Sequence, residues 1–95
     1  MTLSSAVAMT IRAQVGMWPL AEVGARDFSY DETSLYFTAK PRGRLVLVRI
    51  TLDPSDTYSV HMAPKNGKHA GEWTQLEEGI YNDMLPEVVR GLGKP

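Results

Sequence analysis

Two histidines, His61 and His69, stand on either side of Asn66 and Gly67, and a hairpin folded at that pair would bring them towards each other. With a carboxylate such as Glu72 they would offer imidazole and oxygen donors to a transition metal. No dense ligand spacing accompanies them, so they read as solvent-facing strand histidines and no metal is expected. The chain has no cysteine, and no serine sits in a Gly-x-Ser-x-Gly elbow, which removes the usual nucleophiles. Phosphate-cradling glycine patterns are missing as well. A single glycine separates Arg42 from Arg44, and Gly91 and Gly93 follow a helical run rather than a strand. The carboxylate pairs Glu77–Glu78 and Asp53–Asp56 read as a strand end and a turn. Neither an enzyme nor a cofactor is expected, because a catalytic role needs geometry and partner groups together.

Charge is the more informative chemistry. Residues 1–39 carry two basic and four acidic groups, residues 40–68 six and two, and residues 69–95 two and five, so a net charge of -1 conceals a +4 centre. Lys40, Arg42 and Arg44 fall in one inter-strand turn and Lys65 and Lys68 in another. A meander would place both basic tips on one rim. These five residues are the leading candidates for partner binding. Tyr36 joins them because it alternates outward between Leu35 and Phe37, whereas most of the other aromatics, Trp18, Phe28, Tyr30, Phe37, Tyr58, Trp73 and Tyr81, are assigned by default to covering a small sheet; Tyr36, Trp18 or Trp73 exposed beside the basic turns would mark a binding surface. Arg49 is the last candidate. As a charge inside the apolar run Leu45–Leu52, it must reach a carboxylate, snorkel to an edge or serve a partner.

The elements that position these residues follow from periodicity. Val7, Ile11 and Val15 recur at helical spacing over Ser5–Val15, with Ser4 or Ser5 as the cap, Gly16 as the stop and Pro19 against continuation. Residues 26–30 and 34–39 alternate in twos around Asp31–Thr33, which predicts a hairpin with Arg26, Phe28 and Tyr30 on one side. Val46, Val48, Ile50 and Leu52 mark a central strand, and Asp53–Asp56 is turn chemistry. Thr57–Met62 returns with Tyr58, Val60 and Met62 inward. Asn66 and Gly67 suit a tight turn into a strand over Glu72–Glu77. A last helix runs from about Ile80 to Leu92, either beginning near Met84 with Asn82 or Asp83 as its cap or kinked at Pro86. The expected architecture is α+β: an N-terminal helix, an antiparallel meander of four to five strands, and a C-terminal helix, with the helices on one sheet face.

Length and composition bound the rest. Ninety-five residues fill one domain, burying about 60 to 70% of the unfolded surface. At 43% apolar and 22% charged residues the chain is neither disordered nor a generic polyanion binder. No apolar run approaches the roughly 20 residues that cross a bilayer. Met1–Gly16 lacks the features of a signal peptide, so a cytosolic location without a membrane partner is expected.

The stretch VRITLDPSDTYSV, residues 48–60, followed by EGIYNDMLPEV, residues 78–88, resembles a widespread group of small proteins encoded by bacteriophages, prophages and plasmids. GARDFSYDETSLYF, residues 24–37, is similar to the group's Gly-Ala-Lys-Asn-Phe stretch and the strand after it, so the resemblance covers about two thirds of the chain. Matching positions are Arg49, Asp53, Asp56, Tyr58, Gly79, Tyr81 and Leu85. The chain departs from the group at Pro86 and in its basic loop Lys40–Arg44. The group carries no activity to transfer. Small mobile-element proteins without catalytic motifs often bind a host protein, inhibitors of host defence such as anti-CRISPR proteins being one class. The resemblance therefore implies a host-protein binder. The competing expectations are a nucleic-acid binder using the basic rim and a homo-oligomer pairing through a sheet edge.

Overall fold

The computed structural model describes the backbone of residues 3–66 and 69–93, and their side chains except at 3–5, 42, 66, 69, 70 and 93. Helix α1 (Leu3–Val15) is followed by a short α2 (Met17–Glu22), and then by strands β1 (Arg26–Tyr30), β2 (Ser34–Ala39), β3 (Val46–Leu52), β4 (Tyr58–Asn66), β5 (His69–Ala70) and β6 (Thr74–Ile80). A 3₁₀ turn, Asn82–Met84, leads into α3 (Leu85–Arg90). The strands pair antiparallel in the order β1-β2-β3-β4, and both β5 and β6 pair with the outer edge of β4. The α+β meander with its helices on one face is therefore as the pattern predicts.

The core lies between that face and the helices. Ala8, Ile11 and Val15 of α1, with Leu85 and Val89 of α3, pack on Leu35, Phe37, Val48, Ile50 and Val60. Phe37 is fully buried and its ring lies 5.6 Å from that of Phe28. Tyr58 is buried on the same side, and its hydroxyl donates 2.6 Å to Gln14 Oε1, tying β4 to α1. The inward sets at Val46–Ile50 and Tyr58–Val60 match their alternation because both strands have covered neighbours on one face only.

Six expectations need correction. Ser4 and Ser5 lie inside α1 rather than at its cap. The chain also turns back into helix after Gly16 (φ 92°), with Pro19 in the first turn of α2, where its missing N–H is not needed. The alternation of β1 fails at Asp27, whose φ of 57° makes a bulge, so only Phe28 of the supposed inner set reaches the core. The return strand over Glu72–Glu77 is instead split into β5 and β6, with Glu72 and Trp73 in the break. Ile80 ends β6 rather than starting a helix. Pro86 occupies the first turn of α3, and neither Asn82 nor Asp83 caps it by a side chain. Trp18, Tyr30 and Tyr81, assigned to the core by default, are exposed.

The turn chemistry holds. The carboxylate of Asp31 accepts the amides of Thr33 and Ser34 at 3.1 and 2.9 Å, closing the first hairpin. Asp56 takes φ 63° in the second. Gly79 (φ 64°) turns the end of β6 towards α3. Gly67 and Lys68, half of the expected Asn66–Gly67 turn and its flank, lie outside the described residues; Asn66 pairs with His69.

Candidate functional site

Among the described residues no helix covers the opposite face of the sheet, and on it the strand register lines up three rows. Ser34, Thr51 and Ser59 form the first, Tyr36, Arg49, His61 and Gln75 the second, and Thr38, Leu47 and Ala63 the third. The first two rows line an open cleft of about 810 Å³, together with Asp31, Asp53, Pro54, Glu78 and the turn beside them. Strands β2, β3 and β4 contribute at alternate positions and β6 adds Gln75, so one pleated face gathers residues far apart in sequence.

Arg49 is the centre of the middle row. The Trp73 ring reaches back across β4 and lies 4.6 Å from the Arg49 guanidinium carbon. Tyr36 meets Trp73 edge-on, with ring centroids 6.4 Å apart. A cation over an aromatic face gains about 0.5 to 2 kcal/mol, more as water is excluded. Among the described residues no carboxylate forms an ion pair with Arg49; the two ion pairs present are Arg26–Asp27 and Glu22–Arg90. Its Nε is buried without a hydrogen-bond partner, as is Nδ1 of His61 beside it. Of the three fates open to a charge in an apolar strand, the stacked arginine has met neither a carboxylate nor the sheet edge.

The groups around it are already engaged. The Tyr36 hydroxyl donates to Asp31 Oδ2 at 2.8 Å, Ser34 and Thr51 share a 2.8 Å hydrogen bond, and the Ser59 hydroxyl donates to Asp53. Burial pushes the Asp31 carboxyl up, but hydrogen bonds from Tyr36, Thr33 and Ser34 outweigh it and hold it below the usual carboxylate value. The Tyr36 phenol is raised, chiefly by burial and also by the Asp31 carboxylate. Burial and then the positive charge of Arg49 lower His61, against a smaller opposing pull from Asp53. Both effects favour the neutral imidazole over the imidazolium.

The face is electrically graded along the strands. Asp31, Asp53 and Glu78 line the end at the β1–β2 and β3–β4 turns. At the other end Lys65 donates 3.3 Å to Thr38 Oγ1. The backbone N–H of Lys65 meets the carbonyl of Leu45 at 3.2 Å, which sets the β2–β3 turn with exposed Lys40 and Arg44 beside the β4–β5 tip. The two basic turns therefore share a rim. Arg42 enters this description by its backbone only, and Lys68 lies outside the described residues.

Arg49 and Tyr36 stand together, as two of the sequence candidates, while Lys40, Arg44 and Lys65 flank them at the basic end. His61 and His69 are not opposite each other: His61 pairs with Arg49 and Gln75, and His69 pairs with Asn66. Arg49 next to His61 also opposes a second cation there. Sequence reasoning missed Gln75 and assigned Trp73 to the core by default, keeping it for a binding surface only if exposed. The signal for Trp73 was Gly71, whose amide bonds the Pro64 carbonyl at 2.7 Å and breaks the strand just before the indole. Comparison of the chain with protein-family models, with curated proteins and with solved structures returned no match.

Proposed function

We propose that this is a non-catalytic binding protein that docks the helix-free face of its sheet onto a partner protein. The convergence of Trp73, Tyr36 and Arg49 at the middle of that face carries the reading. Trp, Tyr and Arg at the centre of a patch supply most of the binding energy of protein interfaces. The surrounding pairs Tyr36–Asp31, Ser34–Thr51 and Ser59–Asp53 hold the surface in place before a partner arrives, which reduces the ordering cost of association.

The resemblance to phage- and plasmid-encoded proteins supplies the setting. The partner is a host protein in the bacterial cytoplasm, and the consequence of binding is inhibition of a host defence system, in the manner of an anti-CRISPR protein. Lys40, Arg44 and Lys65 act at the periphery, where charge steers encounter more than it adds affinity. The test is capture of the partner from host lysate by the immobilised full chain. Trp73→Ala and Tyr36→Ala are expected to abolish capture, while Trp18→Ala, on the exposed surface of α2, leaves it intact. Capture that survives Trp73→Ala and Tyr36→Ala but fails with Trp18→Ala overturns the choice of face.

A further inference from the structure

A second surface, independent of the helix-free face, lies between β6 and α3, and we infer that it takes a basic amphipathic helix of a partner protein. Among the described residues β6 pairs only with β4, so its outer edge is open. Between that strand and the helical segment 82–93 runs a groove of about 700 Å³. Met84, Val88 and Leu92 recur every fourth residue along one wall, Leu76 of β6 stands on the other, and Met62 of β4 completes the apolar lining. Met62, Val88 and Leu92 lean on the core, while Leu76 and Met84 stay exposed. Contiguous apolar surface of this kind, rimmed by polar groups, marks an interaction site. The two methionines let the lining adapt to an incoming side chain.

The rim selects the occupant. Asp83 and Glu87 stand one helical turn apart beside the apolar stripe, Glu77 of β6 joins them, and among the described residues no lysine, arginine or histidine lines the groove. None of the three carboxylates forms an ion pair among those residues, and Arg90, close by in sequence, is turned to Glu22 at 3.4 Å. Three negative charges around an apolar floor repel a nucleic-acid backbone or an anionic membrane surface and complement lysine or arginine. The four-residue period of the wall is matched by apolar side chains at the same period, which is a helix laid along the groove. A strand added at the edge of β6 would turn only every second side chain to that side.

The experiment labels the methionine methyl groups of the full chain with ¹³C, which places reporters in the groove at Met62 and Met84 and outside it at exposed Met9 and Met17. The probes are acetyl-AKLAKKLAKKLAKA-amide, the same peptide with glutamate for every lysine, and the same peptide with proline for its central leucine. The basic peptide is expected to shift Met62 and Met84 and to leave Met9 and Met17 in place, and the acidic peptide to shift none. The proline peptide, which cannot hold the helix, is expected not to bind. Glu77→Gln, Asp83→Asn and Glu87→Gln together are expected to weaken the basic peptide roughly tenfold, the loss of three exposed ion pairs. Their circular dichroism is expected to be unchanged, since all three side chains are exposed. No shift at the highest soluble peptide concentration, shifts confined to Met9 and Met17, equal binding of the basic peptide and either counterpart, or an affinity untouched by the three substitutions overturns the assignment. Light scattering tests the other occupant: a monomer at all concentrations is expected, and a mass that doubles with concentration and reverts in Met84→Lys gives the groove to a second copy of the chain and overturns the inference. Trp73→Ala, on the other face of the sheet, is expected to leave peptide binding intact, so the groove and the helix-free face stand or fall separately.

Discussion

Replacing Arg49 with methionine separates a binding arginine from a structural one. In β3 the side chain stacks under Trp73, has no ion pair among the described residues and leaves its buried Nε unpaired. Removing the charge sacrifices a cation–π contact of about 0.5 to 2 kcal/mol. It also relieves the orphaned donor, about 1 to 3 kcal/mol, and methionine recovers about 0.3 to 1.5 kcal/mol by placing sulfur against the indole. The sum runs from a loss of about 0.7 kcal/mol to a gain of about 4 kcal/mol, centred on a gain. For a domain of 95 residues each kcal/mol is worth about 4 to 8 °C in Tm. Urea unfolding followed by far-UV circular dichroism is the assay, since fluorescence would report the altered Trp73 contact itself. Partner capture is expected to disappear although the fold is no weaker. Because the charge of Arg49 helps to depress His61, the imidazole is also expected to titrate higher in the variant. A stability loss above about 2 kcal/mol would show that the guanidinium holds the sheet together and would refute the reasoning.

Other perturbations probe the frame and its charges. Phe37→Ala, at a fully buried ring, is expected to cost about 3 to 5 kcal/mol in urea unfolding. Tyr58→Phe removes the hydrogen bond to Gln14 and is expected to cost about 1 kcal/mol. The folded-state pKa of His61 lies below its ordinary 6.5, so the stability tied to its neutral form is present above that value and is lost as pH falls through the folded value. Thermal midpoints are therefore expected to drop on acidification below pH 6.5, and His61→Gln to flatten that part of the profile. Reversal of Lys40, Arg44 and Lys65 to glutamate is expected to slow partner association without lowering Tm. A salt titration against DNA and RNA is expected to find no binding at low salt, whereas a steep salt-dependent affinity would favour the nucleic-acid alternative.

Much of the frame is legible in the sequence because local chemistry and global packing agree there. Val46–Ile50 alternates cleanly since one face meets helices and the other does not, and the Asp31 and Asp53–Asp56 turns close on their own side chains and backbone. Where they disagree, the pattern misleads. Pro19 reads as a breaker but sits in the first turn of α2, and the positive φ of Asp27 flips the parity of β1 in a way that no alternation signals. Ile80 is apolar at helical spacing from Met84, yet it pairs with Tyr58 at the end of β6. The site is half legible for a related reason. A charge in an apolar strand marks Arg49, and alternation marks Tyr36 and His61. Their alignment in one row depends on inter-strand register, and the indole over them on a strand break, neither of which is written in any single segment.

Site-specific photo-cross-linking in host cells puts the partner-docking face to the most direct test. A photoreactive phenylalanine analogue is placed at Gln75, exposed in the cleft, and separately at Trp18, exposed on α2 behind the opposite face. A discrete adduct from position 75 and none from position 18 is the expected result. An adduct from position 18 with none from position 75 would contradict the assignment of the helix-free face as the binding surface.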